Sequence, residues 1–113
     1  MKKEYRIKKN QEIESVLIEK NSIASKYFVI YKKENHENVH FRYAISVPKK
    51  YGNAVNRNLM KRRIRSVVRE IELVNDYDFF IVVKSQASIL SFDQIKKELL
   101  SLFTNLKLEA THE

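Results

Sequence analysis

The sequence predicts an α+β fold, a two-layer sandwich of helices on one small β-sheet. Apolar residues recur at helical spacing in three segments. Three shorter runs are rich in aromatic and β-branched residues, as strands are. Their order along the chain is α-β-β-α-β-α. At 113 residues, 43% of them hydrophobic, the chain reads as a single domain over 1–113. Its ordered core is expected from about residue 5 to about residue 108.

Each element has its own signal. Ile13, Val16 and Leu17, with Ile18 beside them, are spaced for a short amphipathic helix within 10–20, and Asn10 is placed to cap it. Tyr27 to Lys32 is aromatic and β-branched and predicts a strand. A polar turn, Lys33 to Asn38, leads to an antiparallel partner strand over Val39 to Val47. There Phe41, Tyr43, Ile45 and Val47 alternate with His40, Arg42, Ala44 and Ser46. Pro48 lacks an N–H and so ends that strand or marks its edge. Gly52, the single glycine, is expected to supply a left-handed turn before a helix over Ala54 to Glu72, capped by Asn53. Tyr77 to Lys84 is nearly all apolar, which predicts a strand covered on both faces. Ser91 opens the last helix with Gln94 in the capping-box position, and Ile95, Leu99, Leu102, Phe103 and Leu106 form its core stripe.

Composition excludes several classes. Without cysteine there is no disulfide framework and no thiolate metal site. The longest apolar runs, such as Phe79 to Val83, are too short to cross a bilayer, so no membrane partner is expected. The charged N-terminus lacks the apolar stretch of a secretion signal, and a cytoplasmic location is expected.

The net charge of +8 is concentrated. Lys49, Lys50, Arg57, Lys61, Arg62, Arg63, Arg65 and Arg69 fall within 21 residues that contain no Asp or Glu. Removing them leaves 14 basic against 14 acidic residues, so the whole excess sits in one segment. With Arg57 at zero and about 100° per residue, Lys61, Arg65, Arg69 and Arg62 lie near 40°, 80°, 120° and 140°. Asn58 falls within that arc, while Met60, Ile64, Val67, Val68 and Ile71 form a separate apolar stripe. A helix so patterned docks by one side and offers a basic face beside it. Arg forks suit phosphate oxygens, and the turn before the helix leads to free N–H groups that also favour an anion. A polyanion, RNA first, is the expected partner. A membrane-surface helix would need aromatic anchors that this apolar stripe lacks.

The string from Ser46 to Arg65 contains Lys-Lys-x-Gly-Asn-Ala-Val-x-Arg-Asn-x-x-Lys-Arg-x-x-Arg. It closely resembles the signature of the bacterial ribonuclease P protein subunit, and the element order is similar to that family over roughly residues 1–108. The resemblance implies a small mixed sheet in the order α-β-β(-β)-α-β-α, with a left-handed crossover and a likeness to ribosomal-protein domains. It implies a catalytic ribonuclease P RNA as partner, and precursor tRNA as substrate, whose 5′ leader is removed by hydrolysis. Mg2+ would act through that RNA rather than on protein ligands alone, with the chain a monomer in a 1:1 ribonucleoprotein. On this resemblance Lys49, Lys50, Asn53, Arg57, Asn58, Lys61, Arg62 and Arg65 face RNA, while Ile13, Leu17, Val29 and Tyr31 line a leader cleft. Tyr31 is the stacking candidate. The chain departs from the family pattern at Leu59, where Arg is usual, at Ile13 and Leu17, where aromatics are usual, and at Pro48.

No catalytic or metal-binding set is expected in the protein itself. His36, His40 and His112 read as solvent-exposed polar residues, and Asp76 and Asp78 as turn or cap residues at a strand start. No phosphate loop, nucleophile elbow or carboxylate pair is present. Two other readings stand beside the first: a general RNA- or ribosome-binding protein, and a free-standing nuclease.

Overall fold

The structure is a computed structural model that describes residues 5–107. Its elements run α1 (Asn10–Ile18), β1 (Ser22–Ala24), β2 (Phe28–Glu34), β3 (Arg42–Ser46), α2 (Ala54–Glu70), β4 (Tyr77–Val83) and α3 (Phe92–Asn105). Short 3-10 turns at Lys49–Tyr51 and Ser85–Ile89 precede α2 and α3. The α+β sandwich expected from the pattern is present, with a four-stranded mixed sheet in the order β1-β2-β4-β3.

That order corrects one expectation. β3 does not pair with β2; it lies parallel to β4, with Arg42 opposite Asp78 and Ser46 opposite Val82. β4 takes the place between them and runs antiparallel to β2, from Phe28 opposite Val83 to Glu34 opposite Tyr77. The central position suits the strand with the longest apolar run, because an interior strand is flanked on both edges and buries more of its surface than an edge strand. The extra short strand is β1, which extends the sheet on the β2 side, Ser22 to Ala24 opposite Tyr31 to Val29.

Strand alternation divides the sheet into two faces. Phe28, Ile30, Tyr43, Phe79, Ile81 and Val83 point into one core, closed by Met60, Ile64, Val67 and Val68 of α2 and by Ile95, Leu99, Leu102 and Phe103 of α3. Phe79 is its hub, stacked on Tyr43 at 5.4 Å and meeting Phe103 edge-on at 5.3 Å between ring centroids. Burying such side chains contributes about 1.5–3 kcal/mol each, which is what holds the basic helix to the sheet. α3 starts as expected, with a full capping box between Ser91 and Gln94.

The opposite face carries Val29, Tyr31 and Lys33 of β2, Asp78, Phe80 and Val82 of β4, and Arg42, Ala44 and Ser46 of β3. Helix α1 lies across one end of it, since Lys33 Nζ donates to Ser15 Oγ and Arg42 pairs with Glu12. β4 is therefore covered fully on one face only: Phe80 and Val82 stay half-exposed. Of the apolar residues in α1, Val16 is fully buried, Ile13 and Leu17 are half-buried, and Ile18 is 75% exposed.

Three local expectations change. Lys9, not Asn10, is the extended residue before α1, and no side chain caps that end. The strap before it is pinned where Ile7 N–H donates to Tyr43 C=O, so the chain already turns at Lys9. Gly52 has φ 162° and ψ −168°, fully extended rather than left-handed; the 3-10 turn before it reverses the chain. The polar 35–41 connection also reaches further into the expected second strand, leaving Val39 90% exposed.

Candidate nucleic-acid interface

The basic segment forms one surface. Pro48 is extended, the following turn exposes Lys49 and Lys50, and Asn53 caps α2 by accepting from Asn56 N–H at 2.9 Å. Asn53 thus has a structural duty beyond any contact with a ligand. Along the helix Asn58, Arg62 and Arg69 are exposed, while Arg57, Lys61, Arg63 and Arg65 are half-buried. The apolar stripe points into the core as predicted, which leaves the cationic arc no choice but to face outward.

None of the eight cations between Lys49 and Arg69 is ion-paired among the described residues; the ion pairs there involve Arg42, Lys96 and His36. Arg57 Nε and Arg65 Nε are buried and have no hydrogen-bond partner among the described residues. Arg65 and Arg69 lie close enough to Tyr43 to pull its phenol down, yet burial dominates and pushes it up to about 12. A dense set of cations without counter-charges raises a positive field that only an outside anion relieves.

This surface meets the open sheet face. A cavity of about 380 Å³ is bounded by Lys61 and Arg65 of α2, Ile13 of α1, Ala44 and Ser46 of β3, and Phe80 of β4. Of the residues expected in a leader cleft, Ile13 lines this cavity. Val29 and Tyr31 lie further along the same sheet face, and Leu17 lies one turn beyond Ile13 on α1. Tyr31 faces Phe80, ring centroids 6.4 Å apart and tilted by 31°. Phe80 is the member that sequence reasoning missed. Alternation along β4 marks it, because Phe79, Ile81 and Val83 claim the core and leave Phe80 on the other face.

The α1 end of the face is closed by a polar network. Asp78, 4% exposed, accepts from Asn38 Nδ2 at 2.8 Å and Asn35 Nδ2 at 3.2 Å as well as from Arg42, which also reaches Glu12 at 2.6 Å. Burial pushes the Asp78 carboxyl up, but the donors from Arg42, Asn38 and Asn35 outweigh it and hold it below its ordinary value. The same hydrogen bond from Arg42, with the Glu12 contact, raises the guanidinium against its own burial. Asp78 is therefore a tie between strand, loop and helix rather than a simple turn residue.

Glu12 and Asp78 are committed to Arg42, and among the described residues cations but no carboxylate line the cavity. That donor set does not fit a divalent cation held by the protein in the cleft. One other group among the described residues has ligand spacing: Glu34, His36 and Asp76, within 4.8 Å of one another. His36 lies 3.4 Å from Glu34 and 3.7 Å from Asp76 and is largely exposed, as expected of it. His40 departs from that expectation. It is half-buried, 4.0 Å from the Tyr5 ring, with Nδ1 2.8 Å from the Phe41 carbonyl oxygen. His112 lies outside the described residues.

The chain is similar to known proteins. The Ribonuclease P family model matches residues 1–107. The Ribonuclease P protein component of Limosilactobacillus fermentum is 45% identical over 106 residues, covering 92% of this chain and 93% of that protein. The one from Acholeplasma laidlawii is 46% identical over 110 residues, covering 96% and 94%. A Staphylococcus aureus RNase P protein mutant, described as having defective mRNA degradation activity, matches with a TM-score of 0.88 at 36% identity, covering 96% of this chain and 92% of its own. The RNase P protein from Thermotoga maritima shares the fold at a TM-score of 0.80 and 23% identity, covering 93% and 98%. No helix among the described residues is long and apolar enough to cross a membrane. With a matching model over 107 positions and relatives at these identities, the chain belongs to the Ribonuclease P protein family.

Proposed function

We propose that the chain is the protein subunit of ribonuclease P, a cytoplasmic, monomeric partner of one catalytic RNA, which helps that RNA remove the 5′ leader from precursor tRNA. The single observation that carries the reading is the junction of an unpaired cationic helix with a half-apolar, aromatic sheet face at one cavity. Lys49, Lys50, Arg57, Asn58 and Arg62 would hold phosphates of the catalytic RNA, and Lys61 and Arg65, at the cavity, those of the leader, each neutralised phosphate releasing a counterion. Val29, Tyr31 and Phe80, facing Ile13 and Leu17, would hold unstacked leader bases, since a base offers a π-face whatever its identity.

Hydrolysis would reside in the RNA and its Mg2+ ions. The protein lowers repulsion between two polyanions and binds substrate, without a general base of its own at the cleft. The decisive experiment is reconstitution. Cleavage of precursor tRNA should require the catalytic RNA and rise on adding the protein at low Mg2+; no gain on adding the protein would defeat the reading.

The Staphylococcus aureus relative is described through an mRNA degradation activity. Cleavage of mRNA by this chain without the catalytic RNA is accordingly the second reading, and the protein-only arm of the same assay distinguishes the two.

A further inference from the structure

β3 is an edge strand, and the segment 5–9 passes along its outer side. The two join at one point, the parallel bridge between Arg6 and Tyr43, where Ile7 N–H donates to Tyr43 C=O at 3.0 Å. Beyond it the strap leaves toward α1, and among the described residues no further backbone bond ties it to β3. In a parallel ladder the N–H and C=O of one residue point the same way, and successive residues alternate. Tyr43 faces the strap, so Ile45 does too, and its N–H points into the gap that the departing strap leaves.

That gap is the cavity beside α2. Its walls include Arg6 and Lys8 from the strap, and Lys61 and Arg65 from the helix, while Phe80 lies on its sheet side. Among the described residues no carboxylate lines it. Arg6 and Lys8 are exposed and have no ion pair among the described residues. Arg65 Nε, on the opposite wall, is buried without a partner among the described residues. Four cations and an outward backbone N–H around about 380 Å³ form a site that repels itself when empty and is relieved by a bound anion.

On the reading that the chain holds RNA, we propose that the strap is the second jaw of a phosphate clamp: Arg6 and Lys8 close against Lys61 and Arg65 on one phosphodiester of single-stranded RNA. The Ile45 N–H donates to the same phosphate, and the adjoining base lies over Phe80. A duplex does not enter, because its bases stay stacked and cannot reach Phe80.

The test uses the full chain with two probes, a single-stranded RNA of leader sequence and the catalytic RNA, each titrated over a range of salt. The double variant R6A/K8A should bind the single strand about tenfold more weakly, with a salt slope lower by roughly one unit. Its affinity for the catalytic RNA should stay within about twofold, and R6K/K8R should restore single-strand binding. In the unaltered protein, adding the single strand should move the Ile45 amide resonance. Unchanged single-strand affinity in R6A/K8A, an equal loss for both RNAs, or a still Ile45 resonance overturns the clamp while leaving RNA binding by α2 intact. Failure of the unaltered chain to bind either RNA defeats the underlying reading instead.

Discussion

Arg42 grips Asp78 with two donors, Nε at 3.2 Å and Nη2 at 2.7 Å, across the parallel pair β3 and β4. The same guanidinium holds Glu12 of α1 at 2.6 Å, so one side chain fixes the angle at which α1 crosses the open sheet face. The width of the proposed leader cleft depends on that angle.

Removing one partner of a nearly buried pair strands the other. Asp78→Ala should therefore cost about 2–4 kcal/mol in urea unfolding. Because folding lowers the Asp78 pKa, its stabilisation is fully present above the ordinary carboxylate value and is lost as pH falls through the folded value. Acid titrations followed by circular dichroism should show a shallower loss of stability below about pH 4 in Asp78→Asn than in the unaltered chain.

The cationic arc of α2 is predicted to act as a set of separate phosphate contacts. Arg57→Ala and Arg62→Ala should each lower the slope of log affinity against log salt by about one unit with the catalytic RNA. Two unchanged slopes would remove α2 from the footprint.

Phe80 is predicted to serve the leader through its ring. Phe80→Leu keeps apolar volume and removes the π-face, so it should weaken precursor tRNA by about 1–3 kcal/mol in the reconstituted complex. Affinity for mature tRNA, which lacks a leader, should stay level. Equal losses for both would assign Phe80 to packing alone.

Asn53 combines a cap with a place in the basic turn, and two substitutions separate these. Asn53→Ala loses the bond to Asn56 N–H and should cost about 1 kcal/mol of stability. Asn53→Asp keeps the cap and should leave the melting temperature nearly unchanged. Its added negative charge should still reduce affinity for the catalytic RNA.

Much of this protein is local and therefore readable along the chain. The α2 stripe of Met60, Ile64, Val67 and Val68, the cap at Asn53, the box at Ser91 and Gln94, and the concentration of cations between Lys49 and Arg69 all depend on residues a few positions apart. Pairing between distant strands does not. Hairpin logic put β3 beside β2, but the buried β4, later in the sequence, took the place between them, because a strand with apolar residues on both faces gains most at the centre. That exchange set Arg42 against Asp78 and turned Phe80 toward α1. It also left β3 as the edge that Ile7 touches once. The basic helix and the surface it offers follow from residues close together along the chain; which aromatic and which strap residues stand opposite it depends on the folded sheet, because those neighbours meet through strand order and not through spacing.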